Sequence, residues 1–180
     1  MRKGRSLLQG CMLLALAMPS IAQRQQRQPL TEVQIDKIRE AGIDPDLRVK
    51  LYTQFVGEHV DTIKGLTPRI HSATRTRRMD DALQDLTALM DELGSNLDQY
   101  GERKADMRKS LKALAEQSTQ WSAVLHAVPS EPGFDLSLKE AIESEKDLGD
   151  QAAQMLKEQT DYFDLHKDER GQDRAEPKPQ

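Results

Sequence analysis

The sequence predicts an all-α protein: an antiparallel up-and-down bundle of long helices, preceded by one short N-terminal helix. Between residues 79 and 128, apolar side chains recur at alternating spacings of four and three, with Lys104 and Ser118 as polar exceptions, which is the pattern of a heptad seam. Residues 30–166 contain no alternating apolar–polar run typical of a half-buried strand, and several cap signals mark helix starts. Long amphipathic helices with short connections favour a bundle.

The first helix is predicted from its start signal. Thr31 is the expected N-cap and Gln34 falls at N3, so the two form a capping box in which each side chain bonds a free backbone N–H. Leu30 and Ile35 stand at the two positions of a hydrophobic staple. Gly42 is expected to end this short helix as its C′ residue.

The string Leu30-Thr31-Glu32-Val33-Gln34 also fits L-T-x-x-Q and so resembles the short signature of periplasmic stress chaperones. That family typically carries two such motifs, and this chain carries one. The resemblance implies a chaperone-like role in the cell envelope. Helix initiation alone accounts for the same residues.

Two further helix starts are predicted from a cap residue followed by proline. Asp44 is the expected N-cap of a long second helix with Pro45 at N1. Thr67 and Pro68 repeat this signal. The sequence therefore predicts a helix start at each position.

The last long helix is predicted to begin at a second capping box, Ser137 with Glu140. Residues 128–133, which read VPSEPG, precede it and form the clearest predicted loop. This places a sharp break between the seam region and the final helix.

The seam over residues 79–128 permits two structures. Its apolar residues are Met79, Leu83, Leu86, Met90, Leu93, Leu97, Tyr100, Met107, Leu111, Leu114, Trp121, Leu125 and Val128. They lie in one register, as in a single long helix; alternatively, Gly101 ends one helix and Asp106 caps the next. The two-helix structure buries more apolar surface per residue, so we favour it. In either case Trp121 is expected in the core.

Residues 1–22 are predicted to be a cleaved signal peptide. Basic residues at positions 2, 3 and 5 precede an apolar run from Leu7 to Met18, and Ser20 and Ala22 supply small residues before an expected cleavage ahead of Gln23. The apolar run is shorter than the roughly 20 residues that a spanning helix needs. We therefore expect a periplasmic or secreted protein with no membrane span after cleavage.

Cleavage changes the composition of the remaining chain. It removes Cys11, the only cysteine, together with three basic residues and no acidic ones, which leaves 23 basic against 30 acidic residues and a formal charge of −7. An acidic chain is a poor nucleic-acid binder, so no nucleic-acid partner is expected. Residues 23–29 are predicted to be a flexible leader, 30–166 the helical-bundle domain and 167–180 a disordered tail.

The sequence shows no catalytic or cofactor motif. The zincin, phosphate-loop, dinucleotide and serine-hydrolase signatures are missing, and no two of its four histidines share a helix face at i, i+3 or i, i+4. We therefore predict that the protein is not an enzyme and expect no cofactor and no metal.

One concentrated basic segment is a candidate anion patch. It contains Arg75, Arg77 and Arg78, and it could hold an anionic polymer or a lipid headgroup. The alternative is a solvated helix face on which Asp81 offsets Arg77 at i+4.

A second candidate surface lies on the 45–65 helix, whose apolar face is wider than a bundle seam requires. Its apolar positions are Leu47, Leu51, Tyr52, Phe55, Val56, Val60 and Ile63. We predict that Tyr52 and Phe55 lie on or beside a surface for a protein partner or for self-association. The alternative is a helix packed between two neighbours, with its full width buried.

Most of the chain after residue 22 resembles short exported helical proteins of the acidobacterial kind, which have no assigned activity. The likeness is carried by KLYTQFVGEHVDTIKGL, LDQYGERKADMRKSLKAL and YFDLHKDERGQDRAEP. It implies a fold and an export route, and no site. The leading functional hypothesis is an interaction or chaperone-like module of the cell envelope; the alternative is a helical protein that binds a small ligand or a metal.

Overall fold

The computed structural model describes residues 28–103 and 105–169, and it confirms the all-α fold class. The helices are α1 Glu32–Glu40, α2 Pro45–Leu66, α3 Ala73–Glu102, α4 Arg108–His126 and α5 Asp135–Leu165, followed by a 3-10 turn at Lys167–Glu169. The described ranges contain no strand. The predicted signal peptide with Cys11, and most of the predicted leader and tail, lie outside the described residues.

The predicted start of α1 is confirmed. Thr31 Oγ1 accepts a hydrogen bond from the backbone N–H of Gln34, and Gln34 Oε1 accepts one from the Thr31 N–H at 2.8 Å. Leu30 is buried and Ile35 packs against the same core. Gly42 has φ +59°, the left-handed conformation that suits glycine after a helix end.

The predicted cap of α2 is confirmed, and the predicted helix start at Thr67 is wrong. Asp44 accepts from the Leu47 N–H, and Pro45 occupies N1. Thr67 instead ends α2: its backbone is right-handed helical, and its hydroxyl donates back to Ile63 O at 2.9 Å. The next helix begins only after Ser72, which is its N-cap.

The seam over residues 79–128 divides into two helices, as favoured, and its apolar residues are all buried. The prediction that Asp106 caps the second helix is wrong. Met107 occupies the N-cap position of α4 without a side-chain cap bond. Asp106 pairs with the Arg108 guanidinium through two bonds of 2.8 Å and accepts a longer bond, of 3.4 Å, from the Arg108 backbone N–H.

The turn before α4 is held by side chains distant in sequence. Asp46, in the first turn of α2, accepts from the Ser110 N–H at 3.1 Å. Gln159 of α5 accepts from the Met107 N–H and donates to Ala105 O, each at 2.9 Å. Two neighbouring helices thus satisfy backbone groups that the turn itself leaves unpaired.

The predicted capping box at Ser137 is also wrong. Helix α5 begins at Asp135 with Phe134 as N-cap, so Ser137 lies inside its first turn. The Ser137 hydroxyl donates to Asp80 of α3 at 2.5 Å, so it joins two helices instead of capping one.

Helices α2 to α5 form the bundle and alternate in direction along the chain. Helix α2 packs against α3 and α4, and α5 packs against the same two helices. Within the described part of the chain, α3 and α4 make no such packing contact, so they occupy opposite corners. The α3–α4 turn therefore crosses the end of the bundle diagonally.

This arrangement makes two of the four packed pairs parallel. Bonds from Asp91 to Ser144 and from Asp98 to Gln151 join α3 to α5 at a constant separation of 53 residues. Because both residue numbers rise together by seven, α3 and α5 run parallel in a heptad register. The contacts between α2 and α4 show the same parallel progression, and the α2–α3 and α4–α5 pairs are antiparallel.

Candidate functional site

A cleft of about 490 Å³ lies where α1 meets the bundle. Its lining consists of Gln28, Pro29, Leu30, Ile35, Ile38, Arg48, Tyr52 and Glu92. One wall comes from the segment before α1 and from α1 itself, and it is apolar except for Gln28. The opposite wall is polar and comes from α2 and α3.

The apolar wall exists because α1 is held against α2. Its inner face buries Ile38, and the preceding segment is fixed by a contact of 3.2 Å between His59 Nε2 and Pro29 O. Gln34 also donates to Glu58 of α2 at 2.9 Å. Pro29, the last residue of the predicted flexible leader, is therefore held against the bundle.

The polar wall is a hydrogen-bonded group from two helices. Tyr52 donates its O–H to Glu92 Oε1 at 2.6 Å. Burial raises the pKa of the Tyr52 phenol above its ordinary value, and the bond to the Glu92 carboxylate raises it further. The phenol is thus a fixed donor to the Glu92 carboxylate, and both residues line the cleft.

Arg48 supplies the positive charge of this wall. Its Nε donates to Tyr100 Oη at 2.7 Å, and a terminal nitrogen donates to Gly42 O at 3.2 Å. A guanidinium has five N–H donors, so these two bonds orient it and leave donors for a bound group. The cleft thus offers a cation, a carboxylate and an apolar wall.

Tyr52 and Phe55, predicted to lie on or beside a partner surface, are both buried. Phe55 is fully buried and Tyr52 is 2% exposed, because α2 is packed between α3 and α4. This is the alternative that the sequence left open. Phe55 belongs to the core, whereas Tyr52 reaches the cleft through its hydroxyl end.

The structure also divides the predicted anion patch. Arg77 and Arg78 are exposed on α3, whereas the Arg75 side chain is buried. Nη1 of Arg75 donates to both Glu131 oxygens, at 2.7 and 2.8 Å. Its Nε donates to the Leu66 carbonyl and its Nη2 to the Thr67 carbonyl. Arg75 therefore ties the α4–α5 loop to the end of α2 and is not available to a ligand.

Glu131 is also bonded by the ring of His71, whose Nδ1 lies 3.1 Å away. Burial raises the pKa of Glu131, but the hydrogen bonds from Arg75 and His71 outweigh it and hold the pKa below its ordinary value. These bonds join the α4–α5 loop, which carries Glu131, to the α2–α3 loop and the start of α3.

The four histidines contact different partners: His59 contacts Pro29 and His71 contacts Glu131. His126 and His166 each contact a carbonyl one turn earlier in their own helix, at 2.8 Å. Within residues 28–103 and 105–169, no three His, Cys, Asp or Glu side chains form a group able to hold a metal ion. None of the helices in these ranges is long and apolar enough to cross a membrane.

Sequence reasoning missed Arg48 and Glu92, which complete the cleft. They lie on different helices, and no local motif joins them. The only sequence signal was the amphipathic pattern of α2, which placed Tyr52 at the edge of its apolar face.

Comparison of the chain with protein-family models, with curated proteins and with solved structures finds no match.

Proposed function

We propose that the protein is an exported helical bundle that acts as an interaction or chaperone-like module in the cell envelope, in the periplasm or secreted. The three-part pattern of residues 1–22 supports export. The binding role is supported by the cleft between α1 and the α2–α3 pair. This role requires a binding surface and no catalytic group.

The lining of the cleft suits a short segment of a protein partner. Its volume lies within the range of about 300–1,000 Å³ found for binding pockets, enough for one or two partner side chains. An apolar side chain would pack on Ile35 and Ile38, while Arg48 and Glu92 would bind polar groups of the adjoining backbone. Such an apolar anchor ringed by polar contacts is typical of energetically important interface positions.

The test is capture of partners from an envelope extract, followed by affinity measurement with the purified partner. Arg48→Gln and Glu92→Gln alter the cleft; Arg39→Gln and Glu116→Gln change equally charged, exposed side chains outside it. We expect the cleft variants to weaken binding about tenfold or more, as loss of a charged hydrogen bond does, and the controls to leave it unchanged. Equal effects from both pairs would contradict the assignment of the cleft.

Export has its own test. N-terminal sequencing of the protein recovered from the envelope or medium should find Gln23 first. Retention of Met1, or a lipid on Cys11, would overturn the export proposal.

A small organic ligand in the same cleft is the second candidate, favoured by the cleft volume. A thermal-shift screen of small amphiphiles separates the two functions. A ligand that stabilises the unsubstituted protein and not Arg48→Gln would support this candidate, whereas a captured protein that binds through the cleft would support the first.

A further inference from the structure

The end of the bundle opposite the cleft displays two exposed aliphatic side chains. Ile70, in the α2–α3 loop, is 89% exposed, and Leu136, in the first turn of α5, is 69% exposed. Both belong to the end at which His71 meets Glu131. Aliphatic side chains this exposed bury little apolar surface in the core and are available for contact with a partner.

The α2–α3 side of this end is basic, although the whole chain has a formal charge of −4. Residues 62–79, which comprise the end of α2, the loop and the start of α3, contain five basic residues and no acidic one. Four of the five basic side chains are exposed: Lys64, Arg69, Arg77 and Arg78. Charge and apolar surface are therefore concentrated together.

Three acidic residues near this surface are bonded by other side chains of the fold. Arg75 and His71 hold Glu131, Lys139 pairs with Asp135 at 2.7 Å, and Ser137 donates to Asp80. The ion pairs at Glu131 and Asp135 reduce the negative potential near the exposed arginines, whereas Asp80 keeps its charge.

The surface is also held in shape. The Arg75 side chain bonds the Leu66 and Thr67 carbonyls and Glu131, so the loop carrying Ile70 is fixed beside the segment that leads into α5. Little ordering is then required when the surface meets a partner, which favours binding.

We propose that this end of the bundle is a docking surface for a membrane containing anionic phospholipid. Ile70 and Leu136 enter the boundary between headgroups and acyl chains, and the exposed basic residues meet the phosphates. A soluble polyanion would use the cations alone and would leave the two aliphatic side chains in water. The combination therefore favours a lipid surface, and the contact is peripheral. It uses residues separate from the cleft, so either proposal can fail alone.

The test is co-sedimentation of the exported protein with vesicles of phosphatidylcholine, with and without phosphatidylglycerol. We expect binding only to the vesicles that contain phosphatidylglycerol, weakening as salt is raised because the charges are exposed. Ile70→Ser should weaken binding on the order of tenfold, and Arg77→Gln with Arg78→Gln roughly fivefold for each arginine. Because all these side chains are exposed, the variants should remain folded.

Each control variant makes the same kind of substitution at an exposed position away from this surface. Leu165→Ser removes an aliphatic side chain that is 82% exposed at the opposite end of the bundle. Lys112→Gln with Lys157→Gln makes the same change in net charge on exposed positions of α4 and α5. Both controls should bind as the unsubstituted protein does.

Four results would overturn the proposal. The first is no binding to anionic vesicles at low salt, and the second is equal loss in the control variants. The third is binding to heparin that matches vesicle binding and is unaffected by Ile70→Ser, which would assign the surface to a soluble polyanion. Sedimentation of the protein alone identifies self-association through Ile70, which would equally contradict a lipid surface.

Discussion

At the scale of single residues, the closest fit in the bundle is between α4 and α5. Ser118 and Glu145 are both buried, and the serine hydroxyl donates to Glu145 Oε1 at 2.6 Å. A Cβ added at Gly149 would lie 2.3 Å from Ser118 Oγ. Gly149 thus gives the polar pair the space that it needs.

Gly149→Ala should therefore destabilise the protein, although the same change elsewhere in a helix usually stabilises it by up to about 1 kcal/mol. Overpacking typically costs about 1–3 kcal/mol, because the serine must leave its bond or the helices must separate. Gly65→Ala is the control, since a Cβ there meets nothing within 4 Å. Chemical denaturation measures both. The Gly149 penalty should shrink in a Ser118→Ala background; an unchanged penalty would show that the clash is not its cause.

The Glu131 cluster makes a pH-dependent contribution to stability. Since its folded pKa lies below the ordinary value of 4.5, the contribution is full above that value and is lost as the pH falls through the folded pKa. Glu131→Gln should thus be less stable than the unsubstituted chain at neutral pH, and the difference should disappear in acid. Denaturation midpoints at pH 7 and at successive steps below 4.5 measure this. A difference that is constant with pH would mean that the ionised carboxylate contributes nothing.

At the scale of elements, the sequence predicted a helix start correctly where all its parts lie within a few residues. Thr31 and Gln34 belong to one turn, so their reciprocal bonds can be read locally. Thr67 and Ser137 carry the same residue types, but their hydroxyls bond Ile63 and Asp80 instead. Cap residues have several possible partners, and only the packed structure selects one.

The start of α4 illustrates the reverse case. The backbone N–H of Ser110 in its first turn is satisfied by Asp46, which lies 64 residues away in sequence. The cleft also depends on residues that are distant in sequence, because Arg48 and Glu92 line it together only after α2 and α3 pack. Periodicity predicts which side chains are buried, whereas these contacts depend on the order in which helices surround the core.

Thr31→Ala tests the element that was predicted best. Loss of this N-cap should cost on the order of 1 kcal/mol, and it should act locally because α1 packs only against α2 among the described elements. Amide hydrogen exchange should show faster exchange in α1 and little change in α3. If the variant instead lost partner binding with α1 protection intact, the L-T-x-x-Q string would be a recognition motif in its own right.

At the scale of the whole molecule, the unexpected feature is that α3 and α4 lie diagonally. Neighbouring helix axes are typically 8–10 Å apart, so the diagonal is roughly 13 Å. Residues 103–107 join the two helices, and a chain extends by up to about 3.3–3.6 Å per residue. The turn is therefore long enough to cross the end of the bundle, where Asp46 and Gln159 hold it.

Cysteine pairs cross-linked with a short bismaleimide distinguish this topology from an ordinary α3–α4 hairpin. Asp98→Cys with Gln151→Cys should cross-link efficiently, because these side chains are hydrogen-bonded at 2.7 Å between parallel helices. Asp98→Cys with Lys112→Cys should not, because α3 and α4 occupy opposite corners. An antiparallel hairpin about the 103–107 turn would place that second pair side by side. Efficient linking of the second pair, with failure of the first, would therefore replace the diagonal arrangement with a sequential one, and the core would have to be rebuilt around the seam folded on itself.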